Sequence, residues 1–320
     1  MNIDTPLESG LLPHLAIMRF TGPDAQSFLQ GQVSNDTRRL AENRSLLAAH
    51  SSPQGRVLAL MHLLPHSGGA AAILPRELIS PTMEALRRFV LRAKVKIEDG
   101  GEALSVAGVH GAEGLRSAGI DAPSGTLYIE QDGIGIAAVN GDRSRYWVVG
   151  AAEALAQRGF AGNSSRAEKI EHRWRLADIH AGLPQIYLAT REVFVAQMLN
   201  LDLLDGISFS KGCYTGQEII ARTQHLGRIK RRLYRLQLPR GEWTVGQALR
   251  LTDGRSGRLT EVIETEQGFE ALAVLPLESA TVATVAAEAG AAVAAEASAE
   301  RDAETGPAVA AAPLPLPYQL

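Results

Sequence analysis

Helix-like and strand-like patterns follow one another along this 320-residue chain without a regular period, and most of the strand-like patterns are short. Residues 15–20 and 95–99 have strand character, and the helical pattern SPTMEALRRFVLRA, residues 80–93, lies between them. A regular strand–helix repeat would favour a parallel sheet, whereas this irregular order favours antiparallel sheets. Hydrophobic residues make up 45% of the chain, enough for two or three cores. We therefore expect an α+β fold.

The character of the sequence changes after Gly227, where the segment RRLYRLQL alternates apolar and polar side chains. Tyr234, Leu236 and Leu238 would share one face of a strand with this alternation. Further short strand-like segments with glycine turns follow. The C-terminal part is therefore predicted to be a small β-barrel.

These changes predict two regions with a boundary near residue 226. The predicted boundaries are 1–226, divided into two α+β subdomains at roughly 1–100 with 165–226 and at 101–164, and 227–320. Within the second region, residues 280–312 are rich in alanine with scattered glutamates. Such a segment buries little apolar surface, so we predict a mobile, partly helical insert there.

Composition excludes several classes of protein. The net charge is −3, so the chain lacks the overall positive charge that would indicate a nucleic-acid partner. The single cysteine cannot form an intrachain disulfide or build a structural zinc site alone. The first 20 residues lack a basic region followed by a long apolar stretch, and no run of about 18 apolar residues occurs. We expect a soluble cytoplasmic protein without a membrane partner.

The only cysteine, Cys213, lies in the segment KGCYTGQE. Thr215 and Glu218 have the spacing of a capping box, which predicts a helix that begins two residues after the cysteine. The helix N-terminus and the charge of Lys211 would favour a thiolate, while Glu218 would oppose it. The alternative is a buried, inert cysteine beside a glycine-rich turn. The residues next to the cysteine in sequence are mostly polar and would make a poor core. They therefore favour a functional thiol.

A longer segment, FVAQMLNLDLLDGISFSKGCYTGQEIIARTQHLGRIKRRL, resembles the signature of the folate-binding YgfZ family, which is related to the T-protein (aminomethyltransferase) of the glycine cleavage system. FLQGQVSNDT, SSPQGRVLA, HRWRLADIHAGLPQI and the closing LPY resemble further segments of that family. The resemblance covers about residues 15–275 and the tail. The alanine-rich segment has no counterpart in it.

The resemblance implies a three-domain T-protein-like ring around a central channel, in which the pterin of tetrahydrofolate or a one-carbon derivative binds. It implies a role in assembly or repair of 4Fe–4S proteins, including radical enzymes that modify tRNA. Lys211 and Cys213 are the implied catalytic pair, with the thiol as a transient ligand of sulfur or iron, or a nucleophile toward a one-carbon unit. The other motif residues expected to shape the loop are Gly212, Tyr214, Thr215, Gly216, Gln217 and Glu218.

The resemblance also implies contacts to the cofactor. Trp174 matches a folate-contacting tryptophan of the family, and Leu15 stands where a second aromatic residue is usual. An ordinary core tryptophan is the alternative for Trp174. The basic stretch that includes Arg222 and Arg228 would meet the glutamate tail of folate or an acidic partner. A solvated face is the alternative for this stretch.

Two functions from different classes fit these patterns. The first is a folate-binding accessory factor that serves iron–sulfur client or assembly proteins and has no turnover of its own. The second is a folate-dependent aminomethyl or methyl transferase. T-protein relatives carry an aspartate in the strand after the SSPQG turn, where this chain has Ala59 or Leu60. An apolar side chain cannot polarise a folate nitrogen, so the accessory factor is favoured. Direct binding of nucleic acid is not expected, because the basic stretch has few aromatic residues.

Overall fold

The computed structural model describes residues 9–101, 103–123, 128–160, 162–225, 227, 229–251, 256–277, 283–287 and 308–320. The helices of this part are α1 (Ala25–Gln30), α2 (Ile79–Arg87), α3 (Gly111–Ser117), α4 (Ala152–Gln157), α5 (Ser164–Ala181) and α6 (Gln217–His225). Short 3₁₀ helices span Thr37–Glu42, Arg76–Leu78, Leu188–Thr190 and Ala196–Leu199.

The strands form three sheets, and all the pairs between them are antiparallel within the described ranges. They are β1 (Gly10–Leu11), β2 (Leu15–Thr21), β3 (Leu46–Ser51), β4 (Val57–His66), β5 (Gly69–Pro75), β6 (Lys96–Asp99), β7 (Ser105–His110), β8 (Tyr128–Gln131), β9 (Ile134–Val139), β10 (Asp142–Gly150), β11 (Arg231–Leu238), β12 (Ala248–Leu251), β13 (Ser256–Thr265), β14 (Gly268–Pro276), β15 (Ala283–Ala287) and β16 (Ala308–Leu314). The expectation of an α+β fold with antiparallel sheets agrees with this arrangement.

The first sheet has the order β3-β4-β5-β2-β6 and contains the largest core. Strand β4, with the sequence VLALMHLLPH, is apolar on both faces, and its first eight residues are buried. A strand buried on both faces lacks the simple alternation of a surface strand. His62 is the exception in β4, a fully buried polar ring within this apolar strand.

The second sheet has the order β1-β7-β10-β9-β8, and α5 packs against it. Gly108 of β7 permits this contact, because a Cβ atom there would lie 2.4 Å from Cε3 of Trp174. Asn163 caps the start of α5 by accepting from the main-chain N–H of Arg166, and Gly182 ends the helix with a φ of 63°.

The third sheet follows the order β11-β14-β13-β12-β15-β16, and β16 also pairs with β11, so the pairing is cyclic. A small C-terminal β-barrel was predicted, and a C-terminal sheet with this cyclic pairing is present. The expectation of a partly helical insert at 280–312 is wrong where the structure describes it, because β15 and the start of β16 are strands. Residues 278–282 and 288–307 lie outside the described residues.

The tail beyond β16 returns to the rest of the chain. The hydroxyl of Tyr318 donates to the main-chain oxygen of Gly182 (2.8 Å), at the end of α5. None of the described helices is long and apolar enough to cross a membrane. The three-domain ring and the domain boundaries stay predictions.

Candidate functional site

The loop 211–216 contacts two other segments that the sequence singled out, FLQGQVSNDT and SSPQG. The ammonium group of Lys211 donates to the main-chain oxygens of Gln30 (2.7 Å), Val33 (2.6 Å) and Asn35 (2.8 Å). These acceptors belong to the turn in FLQGQVSNDT. An ammonium group has three hydrogens, so all of them are used. Burial lowers the pKa of Lys211 to about 8, which leaves the group mostly protonated at neutral pH.

The turn between β3 and β4, in the segment SSPQG, supports the same loop from another side. Gly216 has a φ of 81°, and a Cβ atom there would lie 2.6 Å from the main-chain oxygen of Ser52. Gly55 of the turn lies equally close to α6, since its Cβ would be 2.7 Å from Cβ of Ile219. The loop therefore fits against the turn only with glycine at these two positions.

The start of α6 differs from the predicted capping box. The helix begins at Gln217, so Thr215 is not its N-cap, and Cys213 lies four residues before the helix instead of two before its cap. The hydroxyl of Thr215 instead donates to Oε1 of Gln32 (3.4 Å). The main-chain N–H of Tyr214 donates to Oε1 of Gln217 (3.1 Å), which ties the loop to the first helical turn. Glu218 is exposed and is the second residue of the helix.

The thiol of Cys213 is free and exposed, so the alternative of a buried cysteine is wrong. Buried residues flank the exposed pair Gly212 and Cys213, with Lys211 on one side and Tyr214 on the other. The ammonium of Lys211 lies 4.8 Å from the centre of the Tyr214 ring, and burial raises the pKa of Tyr214 to about 12. The arrangement presents a thiol to solvent from a loop that is anchored at both ends.

A buried polar patch on β3 and the turn after it was missed by the sequence analysis. Nδ1 of His50 donates to the main-chain oxygen of Gln32 (3.1 Å), which leaves Nε2 of the neutral ring as an acceptor. Burial lowers the pKa of His50 to about 4. Within the described chain, this Nε2 and the hydroxyls of Ser51 and Ser52 have no hydrogen-bond partner. The signal was the polar run His-Ser-Ser at the end of the apolar segment LLAA.

The two predicted cofactor contacts are both in the core. Trp174 is 1% exposed and Leu15 is 3% exposed. The guanidinium carbon of Arg145 lies 4.7 Å from the centre of the Trp174 ring, and Gly108 lies against the same indole. Arg145 is itself buried and contacts Asp178 at 2.8 Å. The structure thus gives neither residue an open face for a pterin.

The predicted basic stretch is only partly available for a partner. Arg222 is exposed on α6, whereas Arg228 lies outside the described residues. Arg232 is buried in an ion pair with Asp202 (2.6 Å), and Arg231 donates to the main-chain oxygen of Ser256. These two arginines hold the start of β11 in place.

A cleft of about 310 Å³ lies where the loop between β1 and β2, helix α5, the 3₁₀ helix Leu188–Thr190 and the C-terminal region meet. Nδ1 of His14 lies 3.3 Å from Oε2 of Glu171, and this contact keeps the pKa of Glu171 below its usual value. Arg175 pairs with the buried Glu261 (2.6 Å). The hydroxyl of Tyr187 donates to the same carboxylate (2.5 Å).

Two further observations concern ligands. A second cavity of about 780 Å³, lined in part by Gln26, His66 and Tyr128, contains none of the predicted site residues. Among the described residues, no group of three or more histidine, cysteine, aspartate or glutamate side chains could hold a metal ion.

Comparisons with known proteins identify curated relatives and a solved structure with a similar fold. No protein-family model matches the chain. Among curated proteins, it is 31% identical over 249 residues to the tRNA-modifying protein YgfZ of Hamiltonella defensa, which covers 76% of this chain and 71% of that protein. It is 33% identical over 258 residues to the YgfZ of Edwardsiella ictaluri, covering 77% and 75% of the two chains. It is 31% identical over 275 residues to the YgfZ of Escherichia coli strain SE11, covering 82% and 83%.

Among solved structures, the glycine cleavage system aminomethyltransferase T from Bartonella henselae superposes with a TM-score of 0.71. The superposition covers 98% of this chain and 87% of that protein at 16% sequence identity. A likeness at this identity concerns the fold alone.

Proposed function

Since this chain belongs to the YgfZ family of tRNA-modifying proteins, we propose that it is a folate-binding accessory factor in the assembly or repair of 4Fe–4S proteins. The proposed clients include radical enzymes that modify tRNA. The chain would act on them through the KGCYTGQE loop and without independent turnover. The cluster belongs to the client, and Cys213 is the group that would contact its iron or sulfide.

The observation that carries this proposal is the exposed thiol on an anchored loop. A thiol reacts or ligates only where a partner can reach it, and Cys213 is exposed. The loop is held in place, because Lys211 donates hydrogen bonds to three main-chain oxygens. Anchoring would keep the thiol at one position, where a docking client can contact it. A defined position favours such a contact over non-specific oxidation of the thiol.

The folate part of the proposal is supported by the family and by the polar cleft beside α5. A bound tetrahydrofolate would supply a carrier for a one-carbon unit. Trp174 and Leu15 do not fit a stacked pterin, since both are covered in the core. The cleft lined by His14, Glu171 and Arg175 has the size and the polar lining of a small-molecule site.

A folate-dependent aminomethyl or methyl transferase is the alternative function, and it has less support. Strand β4 has the sequence VLALMHLLPH and carries no carboxylate. Ala59 and Leu60, the positions where T-protein relatives would have an acid, are fully buried. General acid–base work on a folate nitrogen needs an ionisable group within hydrogen-bond reach.

The proposal includes the arrangement that the resemblance implied. We propose a folate-binding region at 1–226 and a C-terminal unit at 227–320, placed as parts of a three-domain ring around a channel. The protein would work in the cytoplasm, and Arg222 with Arg228 would contact folate or a client.

The test uses cells that lack this gene. The activity of a 4Fe–4S enzyme is measured under oxidative stress after restoring wild type, Cys213→Ser or the control Ser210→Ala at equal protein levels. Ser210 is an exposed residue of the same loop region. We expect rescue by wild type and by Ser210→Ala, and loss of most of the rescue with Cys213→Ser.

Each other outcome has a distinct meaning. Equal rescue by Cys213→Ser would keep the cluster role and remove the thiol from it. The absence of any cluster-enzyme defect in the deletion strain would overturn the accessory function and favour the transferase.

A further inference from the structure

We infer that the loop between α2 and β6, residues 88–95, binds the surface of an anionic lipid bilayer. The sequence of this loop is RFVLRAKV. Phe89 is 40% exposed and Leu91 is 88% exposed, the largest exposed fraction among the large hydrophobic side chains of the described chain. Single exposed leucines are common on protein surfaces, whereas this one lies in a strained, cationic and anchored loop.

The backbone of Leu91 has an unfavourable conformation that keeps the side chain outside. Its φ is 45°, in the left-handed region that bulky residues rarely adopt. Such strain persists only where the surrounding structure fixes it, and it is concentrated at functional sites. Here the main-chain N–H of Phe89 donates to the oxygen of Leu86 (2.9 Å), and that of Ala93 donates to the oxygen of Val90 (2.7 Å). These bonds close the turn on both sides of Leu91.

The base of the loop is packed and hydrogen-bonded. Three of its residues pack against the largest core, namely Val90, Ala93 and Val95. The main-chain N–H of Lys94 donates to the carboxylate of Asp24 (2.7 Å), which ties the loop to the turn before α1. Phe89 and Leu91 are therefore exposed on a fixed support. A loop that is already ordered loses little conformational freedom when its tip enters a lipid surface.

The same loop carries three positive charges that are free to meet a partner. Arg88, Arg92 and Lys94 are exposed, and none of them forms an ion pair with a carboxylate of the described residues. Glu84 on α2 is the exposed carboxylate nearest to Arg88 in sequence, so it reduces this charge without cancelling it. The whole chain has a net charge of −3, which makes the positive loop a local feature. Each cation close to anionic headgroups strengthens binding about fivefold.

These features fit a lipid surface better than a protein or an RNA. The apolar part consists of two side chains, whereas a stable protein interface buries more than about 1,000 Å². Single-stranded RNA stacks its bases on aromatic rings or guanidinium planes, and Leu91 offers neither. A bilayer accepts an apolar tip at the boundary between headgroups and acyl chains, while its anionic headgroups surround the cations.

Binding of this kind needs no spanning segment. The expectation of no membrane partner was based on the lack of a long apolar stretch and of a leader, and none of the described helices is long and apolar enough to cross a membrane. A surface loop instead holds a protein on the membrane reversibly, because two apolar side chains and three cations bind far less tightly than an inserted helix. The inference replaces that expectation for the surface of a bilayer and is independent of the folate and cluster proposals.

The test is sedimentation of the full chain with vesicles of equal parts phosphatidylcholine and phosphatidylglycerol. We expect binding to these vesicles, weaker binding at high salt, and little binding to phosphatidylcholine alone. Leu91→Ser should weaken binding about tenfold, and Arg92→Gln about fivefold. The matched controls are Leu188→Ser, at a leucine that is 54% exposed, and Arg222→Gln, at an exposed arginine of α6. Both controls should bind as wild type does.

The remaining outcomes each overturn the inference. They are no binding of wild type to the mixed vesicles, and equal binding by Leu91→Ser, Arg92→Gln and the two controls. Fluorescence anisotropy with labelled poly(U) adds a third outcome, in which wild type binds this RNA but not the vesicles and Arg92→Gln weakens the binding. That result would assign the loop to nucleic acid. Urea unfolding confirms that each variant is folded. The proposed function is unaffected by these results, because it is tested at Cys213 in cells.

Discussion

At the scale of single residues, the two glycines of KGCYTGQE have opposite constraints. Gly216 has a φ of 81°, and its Cβ would lie 2.6 Å from the main-chain oxygen of Ser52. A Cβ on Gly212 would have no described atom within 4 Å. We predict that Gly216→Ala lowers the free energy of unfolding by about 2–4 kcal/mol, through the left-handed backbone and the clash. Gly212→Ala should change it by less than about 0.5 kcal/mol.

Urea unfolding of the two variants checks this prediction, and each variant is the control for the other. Equal stability of both would mean that the loop does not rest on the β3–β4 turn as described. The result also bears on the interpretation of the motif, since Gly212 was expected to shape the loop. Its open surroundings instead leave room for a partner next to the thiol.

At the scale of elements, Lys211 connects the loop before α6 to the turn after α1. Lys211→Met keeps the length of the side chain and leaves the oxygens of Gln30, Val33 and Asn35 without this donor. We predict a loss of about 2–4 kcal/mol in the free energy of unfolding. Lys230→Met, at an exposed position, is the control. If Lys211 instead activates Cys213, the variant would keep its stability and its thiol would be alkylated more slowly.

The sequence located the motif loop, but it could not supply the acceptors of Lys211, because those acceptors are main-chain oxygens. The cleft also could not be predicted from the sequence, because Glu171, Tyr187 and Glu261 are brought together only by the packing of α5 on β13. The strands β15 and β16 were missed for a different reason. Alanine carries little preference for either face, so an alanine-rich strand has no alternation to detect.

At the scale of the whole molecule, two buried histidines and one half-buried histidine should make stability depend on pH. Burial lowers the pKa of His62 to about 3, of His50 to about 4 and of His110 to about 4. In the unfolded chain these rings have a pKa near 6.5. Below that pH the unfolded state binds protons that the folded state does not, so stability falls as the pH decreases toward 4 and is complete above about 6.5. Each such ring contributes a slope of about 1.4 kcal/mol per pH unit.

His62 offers the sharpest test of this dependence. Its ring lies 4.2 Å from the ring of Trp147, and neither of its nitrogens has a hydrogen-bond partner among the described residues. His62→Phe removes an unpaired polar group from an apolar site, so stability at pH 7.5 should be kept or increased. Between pH 6 and 5 the slope should decrease by about 1.4 kcal/mol per pH unit. Urea unfolding across this range measures it, with the exposed His172→Phe as control. An unchanged slope in His62→Phe would mean that His62 is protonated in the folded protein, which its position beside the buried Arg145 opposes.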